Sequence, residues 1–116
     1  MLYQGSCHCG SVSFEIEATL TEAMECNCSH CSRKGYLLSF MPRSAFTLKS
    51  PTESELGVYT FNKHAIRHHF CEKCGCSPFC FGTDPKGNGV AAVNLRCLPD
   101  LDRSELKIVA VDGKSY

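Results

Sequence analysis

The chain has 116 residues, 43% of them apolar, and its twelve Lys and Arg balance twelve Asp and Glu. That length predicts one domain, residues 1–116, of ordinary size, and a formal net charge of zero excludes global attraction to nucleic acid or an anionic membrane. Nine Gly, five Pro and no Trp leave a modest core, which a metal or covalent staple would reinforce. The start, Met1-Leu-Tyr-Gln-Gly-Ser-Cys7, has no basic residues followed by an apolar run. No segment approaches the ~18 apolar residues of a membrane span. A soluble cytoplasmic protein is expected, and in a reducing cytosol its ten cysteines favour metal over disulfides.

Taken in chain order, the first pattern is Ser11 to Ala18, which alternates polar and apolar and predicts a strand with Val12, Phe14 and Ile16 inward. A second strand leads into Cys26. Ser29 is a candidate N-cap for a short helical turn through Lys34, with Gly35 stopping it. Tyr36 to Met41 reads as a buried strand ended by Pro42, and Pro51 to Gly57 as a loop. Val58–Phe61 and Ala65–Phe70 form a predicted hairpin around Asn62-Lys63-His64, delivering its second arm to Cys71. A turn cluster over Thr83–Gly89 separates strands near Phe79–Phe81 and Val90–Leu95. Pro99–Asp102 is a loop, and Leu106–Val111 closes as a strand before Asp112-Gly113. The fold class predicted is mainly β and antiparallel, with one or two short helical turns.

Eight cysteines fall in three tight clusters: Cys7-His-Cys9-Gly, Cys26-Asn-Cys28-Ser-His-Cys31 and Cys71-Glu-Lys-Cys74-Gly-Cys76. Thiolates one or two residues apart can reach a single tetrahedral metal. A closed structural zinc takes four ligands, whereas a catalytic zinc keeps three and an open position. Gly10 and Gly75 follow the last thiolate of a pair, where glycine tolerates the left-handed backbone of a metal knuckle. Cys7/Cys9 and Cys71/Cys74 would then close one site of four thiolates across Gly10 to Phe70. Cys26, Cys28 and Cys31 would remain as a tripod with no obvious fourth ligand. Spacing alone also permits Cys7/Cys9 to join Cys26/Cys28.

The stretches Gly5-Ser-Cys-His-Cys-Gly10, Cys26-Asn-Cys-Ser-His-Cys-Ser-Arg-Lys-Gly35 and Phe70-Cys-Glu-Lys-Cys-Gly75 together resemble the glutathione-dependent formaldehyde-activating enzyme family, which includes centromere protein V. Weaker echoes are Tyr59-Thr-Phe61, Val93-Asn-Leu-Arg-Cys97 and Asp112-Gly113. The resemblance implies a β-tent fold holding two zincs, with Cys7, Cys9, Cys71 and Cys74 as the structural set and Cys26, Cys28 and Cys31 as the catalytic set. It also implies a glutathione-type thiol as small-molecule partner and a carbon–sulfur lyase reaction that adds the thiolate to formaldehyde or a related carbonyl, or the reverse. The chain is shorter than the characterised formaldehyde-activating members, so no glutathione-binding residue carries over.

Three thiolates leave a zinc complex at a formal charge of −1, better suited to holding a further thiol as thiolate than to strong water activation. His30, Arg33 and Lys34 adjoin the tripod as candidates for stabilising an alkoxide; otherwise Arg33 and Lys34 are solvated charges, and His30 could replace a ligand. His68 and His69 point to opposite faces of a strand, one exposed and one packed. His8 should point away from the metal, and His64 should sit in a turn. Cys76, Cys80 and Cys97 read as small buried hydrophobes, with Cys76 a candidate fourth ligand for the tripod. Two rival classes are a non-catalytic zinc-binding interaction module and a thiol-based metal store or redox sensor.

Overall fold

The computed structural model describes residues 1–61 and 63–113. Among the described residues ten strands form two sheets. A three-stranded sheet has the order β1 (Leu2–Ser6), β2 (Ser13–Glu17), β5 (Phe46–Ser50). The second sheet contains β3 (Glu22–Cys26), β4 (Leu38–Pro42), β6 (Gly57–Tyr59), β7 (Arg67–Phe70), β8 (Phe79–Thr83), β9 (Gly89–Asn94) and β10 (Lys107–Val111), in the order β10-β3-β4-β9-β8-β7-β6.

The alternation of β2 does what its period demands. Val12, Phe14 and Ile16 are all buried, because side chains two apart share one face. Phe14 and Phe46 of the small sheet stack at 5.2 Å between ring centroids, and Phe46 meets Phe79 of the large sheet edge-on at 4.7 Å. This aromatic seam joins the sheets, and most of the core lies along it.

The opposite face of the large sheet carries a smaller cluster. Phe40, Ala92, Cys80 and His68 occupy one cross-strand row, and Met24 is paired with Leu38 beside it. Buried Tyr36, Leu38 and Ala92 pack there with Met24, Cys31 and Cys80. Across this face runs the only α-helix among the described residues, α1 (Ser29–Lys34).

The expected hairpins are present, and among the described residues every strand pair but one is antiparallel. The exception is β10, which runs parallel to β3 from Lys107↔Glu22 to Val111↔Cys26. After β9 the chain crosses two 3-10 turns, Leu95–Cys97 and Arg103–Glu105, and reaches the far edge of the sheet in the same direction as β3. That pairing brings Asp112 and Gly113 to the end of β3. β1 and β5 were not foreseen: the sequence of β1 is short and rich in polar and small residues, and β5 follows a turn. Helical structure is confined to short pieces, as expected of a mainly β fold: among the described residues four single 3-10 turns accompany α1. Asn62 of the predicted turn lies outside the described residues; His64 sits there at φ 56.

Candidate functional site

The four-cysteine set is assembled by two knuckles. In the first, the Gly10 N–H bonds the Cys7 carbonyl at 3.3 Å and the Val12 N–H points to the Cys7 sulfur at 3.3 Å. In the second, the Gly75 N–H bonds the Cys71 carbonyl at 2.8 Å and the Cys71 N–H bonds the Cys76 carbonyl at 2.9 Å. Gly10 and Gly75 have φ of 83 and 78, the left-handed region their missing Cβ allows.

The Sγ atoms of Cys7, Cys9, Cys71 and Cys74 all lie within 4.8 Å of one another. The Cys7–Cys9 and Cys9–Cys71 sulfurs are each 3.6 Å apart. Zinc–thiolate bonds of about 2.3 Å in a tetrahedron place sulfurs about 3.8 Å apart, so the donors fit a closed zinc site. Cys7 and Cys71 are buried while Cys9 and Cys74 reach the surface. Burial pushes the Cys7 thiol up to about 11, whereas hydrogen bonds from Ser11 hold Cys9 down at about 6.

The three-cysteine set stands at the junction of β3 and α1. Cys26 ends the strand, and Cys28, not Ser29, is the N-cap: its Sγ accepts the Cys31 N–H at 3.3 Å. The cap thus fixes two ligand candidates relative to each other. Gly35, at φ 69, ends the helix as expected. The three sulfurs lie within 4.8 Å of one another, all half-buried. Burial and the adjacent Cys28 push the Cys31 thiol up; against the burial of Cys28, hydrogen bonds from Cys31 hold its thiol below the ordinary range.

Gly113 seals one side of this set. A Cβ there would overlap the Cys26 sulfur and come within 3.3 Å of the Cys28 Cβ. The space is kept by the Asn27 N–H bond to the Val111 carbonyl at 3.1 Å and an Asn27–Asp112 side-chain bond at 3.0 Å. Three mutually close thiols with a cradle at Cys26 fit a zinc held by Cys26, Cys28 and Cys31.

Beside the three thiols opens a cavity of about 570 Å³, walled by Met24, Leu38, Phe40, Phe61, Ile66 and Val111, with His68 and Cys80 in its lining. A second cavity of about 590 Å³, lined by Arg33, Lys34, Tyr36, Tyr59 and Ser77 among others, also touches His68. Arg33 bonds the Ser29 carbonyl at 2.8 Å and Lys34 the Ser77 hydroxyl at 3.1 Å. Both cations therefore face the second cavity, and neither lines the first.

His30 does not join the thiols. Its ring packs 4.4 Å from His68 and 5.0 Å from Phe61. His68 and His69 depart from the expectation of one exposed ring: they are 8% and 1% exposed. The sheet is covered on both faces at β7, by Phe79 and Phe81 against His69 and by His30 and Phe61 against His68. Burial pushes the His68 imidazole down to about 4, so it is neutral at pH 7. Among the described residues neither of its ring nitrogens has a hydrogen-bond partner. The alternation of a strand placed His68 and His69 on opposite faces; nothing local in the sequence revealed that both faces are covered.

Cys76 does not reach the tripod. Its sulfur lies 3.8 Å from that of buried Cys97. Cys80 is a cavity-wall thiol, pushed up to about 11 by burial. Cys97 and Cys80 thus fit the packing role, and His8 is exposed. No helix among the described residues is long and apolar enough to cross a membrane.

Comparison with known proteins adds two findings. The sequence pattern of a family described as "Glutathione-dependent formaldehyde-activating enzyme" matches residues 2–110. A crystal structure of a Rhodobacter sphaeroides protein, a structural-genomics target, superposes with a TM-score of 0.75 at 25% identity, covering 91% of this chain and 99% of that one.

Proposed function

The chain belongs to the glutathione-dependent formaldehyde-activating enzyme family, and on that premise we propose that it is a zinc-dependent carbon–sulfur lyase. In this reading Cys26, Cys28 and Cys31 hold the reactive zinc, while Cys7, Cys9, Cys71 and Cys74 hold a structural one. The observation that carries it is the unequal division of the thiols: a complete set of four, and a set of three beside a cavity. An interaction module with two closed sites would place a fourth side chain on the tripod, and among the described residues no further His, Cys, Asp or Glu joins it.

Cys26, Cys28 and Cys31 would hold a zinc whose positive charge, when bound, would lower the pKa of a neighbouring thiol and make a thiolate available at neutral pH. The thiol sulfur bonds to the carbonyl carbon, the π bond of the carbonyl breaks, and the thiol's proton finishes on the oxygen. The reverse step breaks the carbon–sulfur bond and regenerates thiol and carbonyl. His68 is placed to manage that proton: it is neutral, its nitrogens have no partner among the described residues, and it lines the cavity shared with the thiols. The apolar walls exclude water, which strengthens any hydrogen bond His68 makes to the developing alkoxide. The thiol is of the glutathione type, following the family.

Nuclear magnetic resonance of formaldehyde–glutathione exchange tests this directly. The zinc-loaded protein is expected to accelerate exchange, and Cys28→Ser to lose that acceleration with the fold retained. Full activity in Cys28→Ser would sink the assignment.

A further inference from the structure

Formaldehyde is small, on the order of one or two water molecules at ~30 Å³ each. The cavity beside the three thiols holds about 570 Å³, which is within the ~300–1,000 Å³ of ordinary ligand pockets. Its walls come from five separate places: Met24 on β3, Leu38 and Phe40 on β4, Phe61 and Ile66 before β7, His68 on β7 and Val111 on β10. No Lys, Arg, Asp or Glu lines it among the described residues. At its mouth Phe40 and Ile66 remain 51% and 48% exposed, although the outward face of a sheet is ordinarily polar.

We propose that the carbonyl compound handled at Cys26, Cys28 and Cys31 carries an apolar group of several carbons, an aliphatic or aromatic aldehyde, which fills this cavity. The proposal rests on the lyase reading above and names its substrate class. The thiol cannot be the part that fills it. Glutathione bears two carboxylates and an ammonium, and burying those against Met, Leu, Phe and Ile with no counter-charge among the described residues is costly. The cations stand outside it: Arg33 and Lys34 line the cavity that shares His68, and Arg96 lines a third, of about 480 Å³, that shares Cys26, Cys31 and Val111. A carboxylate held beside Arg96 and an alkyl or aryl group in the apolar cavity leave the reacting carbon and sulfur next to Cys26 and Cys31, which line both spaces.

The bond changes are those already given: carbon–sulfur bond made, carbonyl π bond broken, proton moved from sulfur to oxygen, with no oxidant or reductant needed. Only the substituent on the carbonyl carbon differs. Each methylene that enters an apolar site contributes about fourfold in affinity.

Stable thioethers with sulfur bonded to the same carbon test the assignment without turnover. Zinc-loaded protein is titrated by calorimetry with S-methyl-, S-butyl- and S-octylglutathione. Three added methylenes should make S-butylglutathione bind about 60-fold more tightly than S-methylglutathione. Phe40→Asp and Ile66→Asp, both at half-exposed positions that tolerate a polar side chain, should flatten the series. A flat series in the unaltered protein, or a steep one that both variants leave intact, overturns the proposal. Exchange kinetics with formaldehyde and octanal keep the two readings apart. A flat series with accelerated formaldehyde exchange removes the apolar substrate and leaves the lyase. A steep series with no acceleration of either aldehyde removes the lyase and leaves the cavity's preference.

Discussion

The two cysteine sets differ in what they connect. Cys7 and Cys9 meet Cys71 and Cys74 across more than sixty residues of sequence, the Cys9 and Cys71 sulfurs being 62 residues apart in the chain and 3.6 Å apart in space. Cys26, Cys28 and Cys31 lie within one strand end and one helical cap. Closing a long loop removes much freedom from the unfolded chain, and closing a six-residue segment removes little. The first set is complete in donors, with two buried sulfurs beside the core seam. The second has no fourth donor among the described residues and borders an apolar cavity. On the reading proposed above, stability and reactivity would fall to different metal sites, so that a ligand could come and go at one without loosening the other.

Breaking the first set should have the largest effect. A structural zinc contributes about 10–16 kcal/mol in isolated zinc-binding peptides, as much as the whole ~5–15 kcal/mol stability of a domain. Cys71→Ser is expected to yield unfolded protein by circular dichroism. Cys28→Ser should keep its spectrum and lose one of two zincs by elemental analysis. Equal loss of structure in both would erase the contrast. A subtler change reaches the second set alone. Gly113→Ala puts a methyl group where the Cys26 sulfur lies, so zinc affinity there should fall ~10–100-fold, as for other groups that orient ligands. Competition with a chromophoric chelator measures this, and unchanged affinity would mean that the Asp112-Gly113 segment does not buttress the tripod.

How much of this was legible beforehand depends on the range of the interaction. The knuckles could be read because Cys-x-Cys-Gly and Cys-x-x-Cys-Gly are local, and their glycines adopt the left-handed φ the spacing suggested. Strand β2 and the hairpin around Thr83–Gly89 were legible for the same reason. The cap on α1 was misplaced by one residue, since a cysteine sulfur that accepts an N–H is an uncommon cap whereas serine is a common one. What escaped was long-range. The parallel β3–β10 pair sets Gly113 against Cys26, and no pattern in either segment announces the other. The cavity has the same character: Met24, Phe40, Ile66 and Val111 are ordinary strand and loop residues until the sheet brings them together.

The smallest effect separates the sets by their response to acid. Acid protonates thiolates in both, so zinc loss alone does not discriminate. His68 belongs only to the tripod side. Burial, reinforced by His30, His69 and Lys34, lowers its folded pKa to about 4, against about 6.5 in an unfolded chain. Between those values the unfolded state takes up a proton that the folded state refuses, so stability is complete above about pH 6.5 and falls as the pH drops toward 4. From pH 7 to pH 5 this one group should cost about 1–2 kcal/mol. His68→Phe keeps an aromatic ring against His30 and Phe61 and removes the titration. Chemical denaturation of both proteins at pH 7 and pH 5 isolates the difference, because the thiolate contributions are common to them. Wild type should lose that extra 1–2 kcal/mol. Parallel losses would mean that protonation of the thiolates governs acid sensitivity and that the ring beside the tripod is not held neutral by its surroundings.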